Sequence, residues 1–282
     1  MNQKIGPYHI VDLPSARREM PNFLDLFWWR HIIYGLLEVD VSVIHQFIEN
    51  HKAETGEVLS FTGYLVFCLA HAIDEDKTVQ AFLKDRKKLV IFEDVDVGLP
   101  IERQVDGTRV PTSHIIRGAN HKTYMEIHEE IRSAQSQAVQ PNKGFSPWLR
   151  SGMLLPGLLS KLFIVLVRMA NRHDPTITAR VAGTVGVTAV GMFNHGHGIG
   201  WGITPPAHSL DLVVGAIARK PSVVGDRIEP REILHLTVGF DHDVVDGAPA
   251  ARFVERLTEL IESGYGLDDP ILIPTMKVEY VS

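Results

Sequence analysis

A mixed α/β fold is the class this sequence predicts, and three observations carry it. Strand-like runs and helical periodicities alternate irregularly along the chain, with several hairpin-like returns, which favours a mixed sheet over a doubly wound parallel one. No Ser/Gly-rich or charge-blocked linker divides the 282 residues, so 1–282 reads as one domain. Apolar residues make up 45% of the chain, enough to fill a sizeable single core.

The elements follow in order. Val41 to Glu54 and Ser60 to Asp74 repeat apolar positions at helical spacing, the second opening at a Ser cap. Lys88 to Ile101 reads as two short strands and Arg109 to Ile116 as another. His121 to Ala138 reads as a polar amphipathic helix, on which His128, just ahead of Glu129 and Glu130, is expected on the exposed face. Met153 to Ala170 is almost uninterruptedly apolar. Pro156, Gly157, Lys161 and Arg168 leave no run near the ~20 residues a bilayer span needs, so a short turn and a buried or interfacial helix are expected. Ile233 to Phe240 alternates as a strand, and Ala248 to Glu262 returns to helical spacing.

Charge and composition exclude some function classes. A net charge of −6 with interspersed signs offers no basic stripe to track phosphates, so nucleic acid is not an expected partner. The single cysteine, Cys68, sits in an apolar helical run and reads as a buried structural thiol compatible with a reducing compartment. Met-Asn-Gln-Lys at the start has neither an apolar core nor a small-residue cleavage site, which points to the cytoplasm. The His- and Gly-rich run Asn194 to Gly202 invites a metal or nucleotide reading. Its spacing fails GxGxxG and no third ligand is placed, so it reads as a loop, and no metal is expected.

The run with most chemical content is Phe240-Asp241-His242-Asp243-Val244-Val245-Asp246-Gly247, on a strand-to-helix turn. An imidazole titrates near neutrality, so His242 held in one tautomer could take a proton from a thiol or hydroxyl and return it to a leaving group. Asp246, four residues on, would be the orienting or structural carboxylate. A bare HxxxDG reads equally well as a loop closed by a turn glycine.

Four segments in one order resemble the catalytic domain of dihydrolipoamide acyltransferases, the core components of 2-oxo acid dehydrogenase complexes, within the chloramphenicol acetyltransferase-like superfamily. They are Arg17-Arg18; Glu38-Val39-Asp40-Val41; Gly183-Thr184 through Gly191-Met192-Phe193, followed by Pro205-Pro206 and Val213-Val214-Gly215-Ala216-Ile217; and Asp241 to Gly247. The opening, Tyr8-His9-Ile10-Val11-Asp12 with a basic pair and Glu19, is similar to the acetyltransferase branch.

The resemblance implies a two-layer α/β sandwich, three subunits sharing active sites across their interfaces, and acyl-CoA as a substrate. His242 would be the general base. Thr188, where the family usually has a serine, would donate to the tetrahedral oxyanion, a role worth roughly 2.7–4 kcal/mol. Arg18 would pair with Asp246 inside the protein, and Gly247 would support the turn. Two positions depart from the pattern: Ala189 replaces an asparagine, and Asp243 an arginine. The family pattern passes quickly over the region where this chain carries an apolar helical insertion at about 141–180, a subunit contact, an acyl-pocket cover or a monotopic membrane anchor. No lipoyl or peripheral-subunit-binding domain is read in 1–282, so a lipoyl domain would act in trans. The implied activity is acyl transfer between acyl-CoA and a dihydrolipoyl thiol. Transfer to a small hydroxyl or amino acceptor, or an inactive trimeric scaffold, are the alternatives.

Overall fold

The computed structural model describes residues 6–12, 20–27, 30–105, 108–137, 147–189, 200–205 and 207–267. Among the described residues, six strands form the main sheet: β1 (Ile32–Asp40), β4 (Val97–Val105), β5 (Thr108–Ile116), β6 (Val185–Ala189), β7 (Leu210–Val224) and β8 (Arg227–Asp241). Their spatial order is β1-β8-β7-β6-β4-β5. The β7–β6 and β6–β4 pairs are parallel and the rest antiparallel, so the sheet is mixed, as the irregular alternation predicts. A separate hairpin pairs β2 (Phe82–Lys84) with β3 (Lys88–Val90). The alternation sends Leu234, Leu236, Val238 and Phe240 of β8 into one core together with Leu210, Leu212 and Val214 of β7. The same core takes residues from α2 (Ser42–Thr55), α3 (Phe61–Glu75), α4 (Tyr124–Ser136) and α8 (Gly247–Glu262), which cover that face of the sheet.

Helix starts follow local chemistry. Ser60 Oγ accepts the Gly63 N–H at 3.1 Å and begins α3. Thr123 and Glu126 form a reciprocal capping box on α4, and the backbone hydrogen bond from Thr123 holds the Glu126 carboxyl below its ordinary range. Cys68 is fully buried, as expected, and burial pushes its thiol up to about 12. Gly183 fixes the entry to β6. Its φ is +92°, and a Cβ there would stand 2.5 Å from the Asp96 carbonyl oxygen. The next residue, Thr184, accepts the Asp96 N–H at 3.0 Å and donates to Gln80 Oε1 at 2.6 Å, which registers β6 against β4.

His128 corrects its expected placement. Its side chain is fully buried, accepting the Ser60 N–H on Nδ1 at 3.0 Å and reaching Glu57 Oε1 with Nε2 at 2.9 Å. That contact holds the Glu57 carboxyl below its ordinary range.

The apolar segment forms α5 (Pro147–Met153) and α6 (Leu158–His173), joined by a turn at Pro156-Gly157. They pack with α1 (Met20–Phe27) around a second, small core of Leu26, Leu149, Met153 and Ile164. Asn22 Nδ2 donates to the Met153 carbonyl at 2.6 Å and ties α1 to the hairpin. The short α7 (Thr176–Ala182) leads back to β6. Among the described residues, no helix is long and apolar enough to cross a membrane.

Candidate active site

The turn after β8 is built around Asp241. Its position opposite Ile32 brings the residues just before β1 against it, and Arg30 Nη1 donates to Asp241 Oδ2 at 2.8 Å with both side chains nearly buried. The Arg30 guanidinium lies 5.6 Å from the Phe82 ring centroid, a cation–π distance. Asp241 Oδ1 accepts the Asp243 N–H, and the Asp241 carbonyl accepts the N–H groups of Val244 and Val245, both at 2.9 Å. Its own N–H donates to the Ser209 carbonyl, and the His242 N–H donates to the His31 carbonyl, each at 2.8 Å. One buried carboxylate and the two flanking strands thereby fix the backbone from which His242 projects.

The His242 side chain is 47% exposed in the isolated chain. Its Nδ1 lies 3.8 Å from Asp246 Oδ1, inside ion-pair range and beyond a hydrogen bond. His31 Nδ1 stands 3.1 Å from both carboxylate oxygens of Asp243 and forms an exposed second polar cluster beside it.

The buried ion pair among the described residues is Arg30–Asp241, and the expected Arg18–Asp246 pair involves a residue outside them. Asp246 has a side chain 87% exposed at the N-cap of α8, and Arg18 lies outside the described residues. The buried carboxylate belongs to the strand's last residue because that position still faces protein, whereas Asp246 stands where the chain has already turned outward. Arg30 was the functional residue the sequence reading missed. The signal that could have found it is the antiparallel pairing of a strand starting at Ile32 with one ending at Asp241. Gly247 has no steric reason in this chain to be glycine, since a Cβ there would meet nothing within 4 Å and its φ is not positive.

Thr188 sits half-buried on β6, opposite Val213 of β7, which in turn faces Thr237 of β8. Val185, Val187 and Ala189 point to the helix-covered core, so alternation places Thr188 on the other face, in line with Val213 and Thr237. That face also holds His235, over which Trp201 packs edge-on while its Nε1 donates to the Leu37 carbonyl at 2.8 Å. Two strand spacings and five residues separate Thr188 from His242, which amounts to about 20 Å. The two are not brought together within one chain. Val190 to Ile199, which include the rest of the glycine segment and both loop histidines, lie outside the described residues. Among the described residues no group of three or more His, Cys, Asp or Glu is placed to hold a metal ion.

The braced histidine turn follows β8, the second strand of the sheet in spatial order, and comparison with known proteins fixes the family. The model of the 2-oxoacid dehydrogenases acyltransferase (catalytic domain) matches residues 30–143 and 166–267, and the chain belongs to this family. It is 24% identical over 230 residues to the mitochondrial dihydrolipoyllysine-residue succinyltransferase component of the 2-oxoglutarate dehydrogenase complex of Bos taurus, covering 80% of this chain and 42% of that protein. To the dihydrolipoyllysine-residue acetyltransferase component of the pyruvate dehydrogenase complex of Mycoplasma capricolum it is 20% identical, covering 80% and 44%. The chain thus spans less than half the length of these relatives. A probable dihydrolipoamide acetyltransferase from Listeria monocytogenes shares the fold with a TM-score of 0.65 at 18% identity, over 95% of this chain and 99% of that one. A dihydrolipoamide acetyltransferase of Azotobacter vinelandii, studied for the role of a serine, a histidine and an asparagine in its mechanism, does so at 0.62 and 17%, over 92% and 97%.

Proposed function

We propose that this chain is a CoA-dependent acyltransferase that moves an acyl group between acyl-CoA and a dihydrolipoyl thiol, with His242 as general base. One observation carries the reading: a half-exposed histidine stands on a turn braced by a buried carboxylate and backbone hydrogen bonds. Its position four residues before Asp246 matches the spacing of the histidine and asparagine named for the Azotobacter vinelandii enzyme.

In this reading Nε2 removes the proton of the acceptor thiol, and the sulfur attacks the thioester carbonyl of acyl-CoA. The carbonyl becomes a tetrahedral oxyanion that accepts a hydrogen bond from the Thr188 hydroxyl. Collapse breaks the bond to the CoA sulfur, which leaves with the proton held by His242. Asp246, at 3.8 Å from Nδ1, is the orienting carboxylate. About 20 Å separates Thr188 and His242 in one chain, so the reaction needs His242 of one copy to face Thr188 of another. A homotrimer, or a multiple of three, with shared sites meets that need. A lipoyl domain presents the thiol, and the cytoplasm is the compartment.

The test is a panel of acyl-CoA donors offered with dihydrolipoamide, free lipoyl domain, small alcohols and amines, following release of the CoA thiol. His242→Ala should slow transfer roughly 10²–10⁴-fold with the oligomer intact. Co-expressed His242→Ala and Thr188→Ala chains should recover part of the parent activity, because mixed assemblies contain sites with both groups present. Near-normal turnover in His242→Ala would remove the base. Transfer only to alcohols or amines would move the acceptor, and a stable trimer that transfers nothing would leave an assembly scaffold.

A further inference from the structure

We propose that the α5–α6 hairpin is a membrane-surface anchor that docks the protein on an anionic lipid bilayer. The family match stops at residue 143 and resumes at 166, so α5 and the first half of α6 are passed over by the pattern that describes the rest of the chain. What the hairpin does is therefore read from its own chemistry.

Its tip is Leu154-Leu155-Pro156-Gly157-Leu158-Leu159, and the four leucines are 41% to 83% exposed. Along α6 the exposed stripe continues through Leu162, Val165, Leu166 and Met169, each at least 47% exposed. The opposite side of the same helix is occupied: Ile164 is buried, with Phe163 and Val167 packed beside it against Leu26 and Met153. The hairpin is thus seated on the protein by one face and presents the other. The eight exposed side chains offer apolar surface on the order of 800 Å², above the ~300–600 Å² of the largest patch on a typical monomer.

Charge decides which occupant fits. The chain carries 34 Asp and Glu, yet none falls between Ile131 and His173, where six Lys and Arg do. On α6 itself Lys161, Arg168 and Arg172 recur seven and four residues apart, a row along one edge of the exposed stripe. An apolar face with cations along one edge and no acid within its own helix is the pattern of a helix lying in a bilayer interface, with its leucines among the acyl chains and the exposed Lys161 at the level of the anionic headgroups. A second copy fits less well. Antiparallel two-fold pairing along the stripe would set the row of one helix against the same row of the other, with no acidic residue on either helix to offset it.

The experiment is flotation of the full chain with vesicles of phosphatidylcholine alone and with a third of phosphatidylglycerol. Binding should be at least tenfold tighter to the anionic vesicles and should weaken in high salt. Leu158→Glu/Leu162→Glu should lose binding tenfold or more, and Lys161→Glu/Arg168→Glu should lose most of the preference for anionic lipid. The circular dichroism and acyl-transfer rate in solution should not change. Because Cys68 is fully buried, Leu158→Cys offers a single site for an environment-sensitive dye, whose emission should shift to the blue on vesicles even if the glutamate variants misfold. Absence of flotation by the parent, or an unshifted dye, would overturn the proposal. So would a glutamate variant that binds as the parent does, or one that breaks up the oligomer, which would assign the stripe to another copy of the chain.

Discussion

The histidine turn and the α5–α6 hairpin are both braced from beneath and open above, but the materials are reversed. Under His242 the brace is polar: the buried Arg30–Asp241 pair and backbone hydrogen bonds to Ser209 and His31. Under the leucine stripe it is a four-residue apolar core. What each exposes is the group its brace could not have buried cheaply, a titratable imidazole in one case and eight large apolar side chains in the other. An imidazole in solvent is common on protein surfaces. A fixed one is suited to proton transfer, since the geometry is set before the substrate arrives. Apolar groups held out of a core, by contrast, gain free energy only when something covers them.

The largest loss on substitution is expected at the polar brace. Arg30→Leu or Asp241→Asn leaves a buried charge uncompensated and should cost roughly 3–5 kcal/mol by urea denaturation, along with activity. Replacing both should recover part of the loss, and simple additivity of the two single variants would show that they are not coupled. At the apolar brace, Ile164→Ala should cost about 2 kcal/mol, the low end for such a deletion, because the core it belongs to is small. Hydrogen exchange should show the loss in α1, α5 and α6 first. Equal loosening of β7 and β8 would mean that the small core and the main core unfold as one.

Sequence carried far where the determinants are local. Ser60 stands at the start of α3, and the sequence places strands at β5 and β8 and a helix after the histidine turn where they occur. Determinants that act across the sheet were not legible. His128 beside two glutamates looks solvent-facing, and only the approach of Glu57 and Ser60 from the preceding helix connection draws it inside. Arg30 is 211 positions from its partner, and nothing in Trp-Trp-Arg-His signals an ion pair until β1 is laid antiparallel to β8. For the site, the place of His242 on a strand-to-helix turn was readable from the motif. Its distance from Thr188 was not, because that depends on β7 lying between β6 and β8.

The contact that buries His128 also predicts the acid limb of stability. The Glu57 carboxyl, held below its ordinary range by its hydrogen bond to His128, is lower in the folded than in the unfolded chain, so its contribution is present above the unfolded value, about 4.3, and is lost as pH falls through the folded one. Glu57 is more than half exposed, which screens the effect. Melting temperature should be level from pH 7 to about 5 and drop below about 4, and Glu57→Gln should make that drop shallower. An unchanged acid limb in the variant would assign it to other carboxylates.

The smallest expected effect is the sharpest test of the contrast between the two regions. Leu162 is 57% exposed on α6, two residues from buried Ile164. If the stripe is open in solution, Leu162→Gln removes no packed contact and keeps a good helix former, so stability should change by no more than about 0.5 kcal/mol. The same substitution inside a closed interface would strip apolar contacts and leave an amide to be satisfied, at a cost of a few kcal/mol and with a melting temperature that falls on dilution. Measuring Leu162→Gln at two protein concentrations therefore separates a stripe that waits for a partner from one already covered by a second chain. A neutral result at both concentrations leaves the eight side chains exposed to water, and a concentration-dependent loss places them within the oligomer.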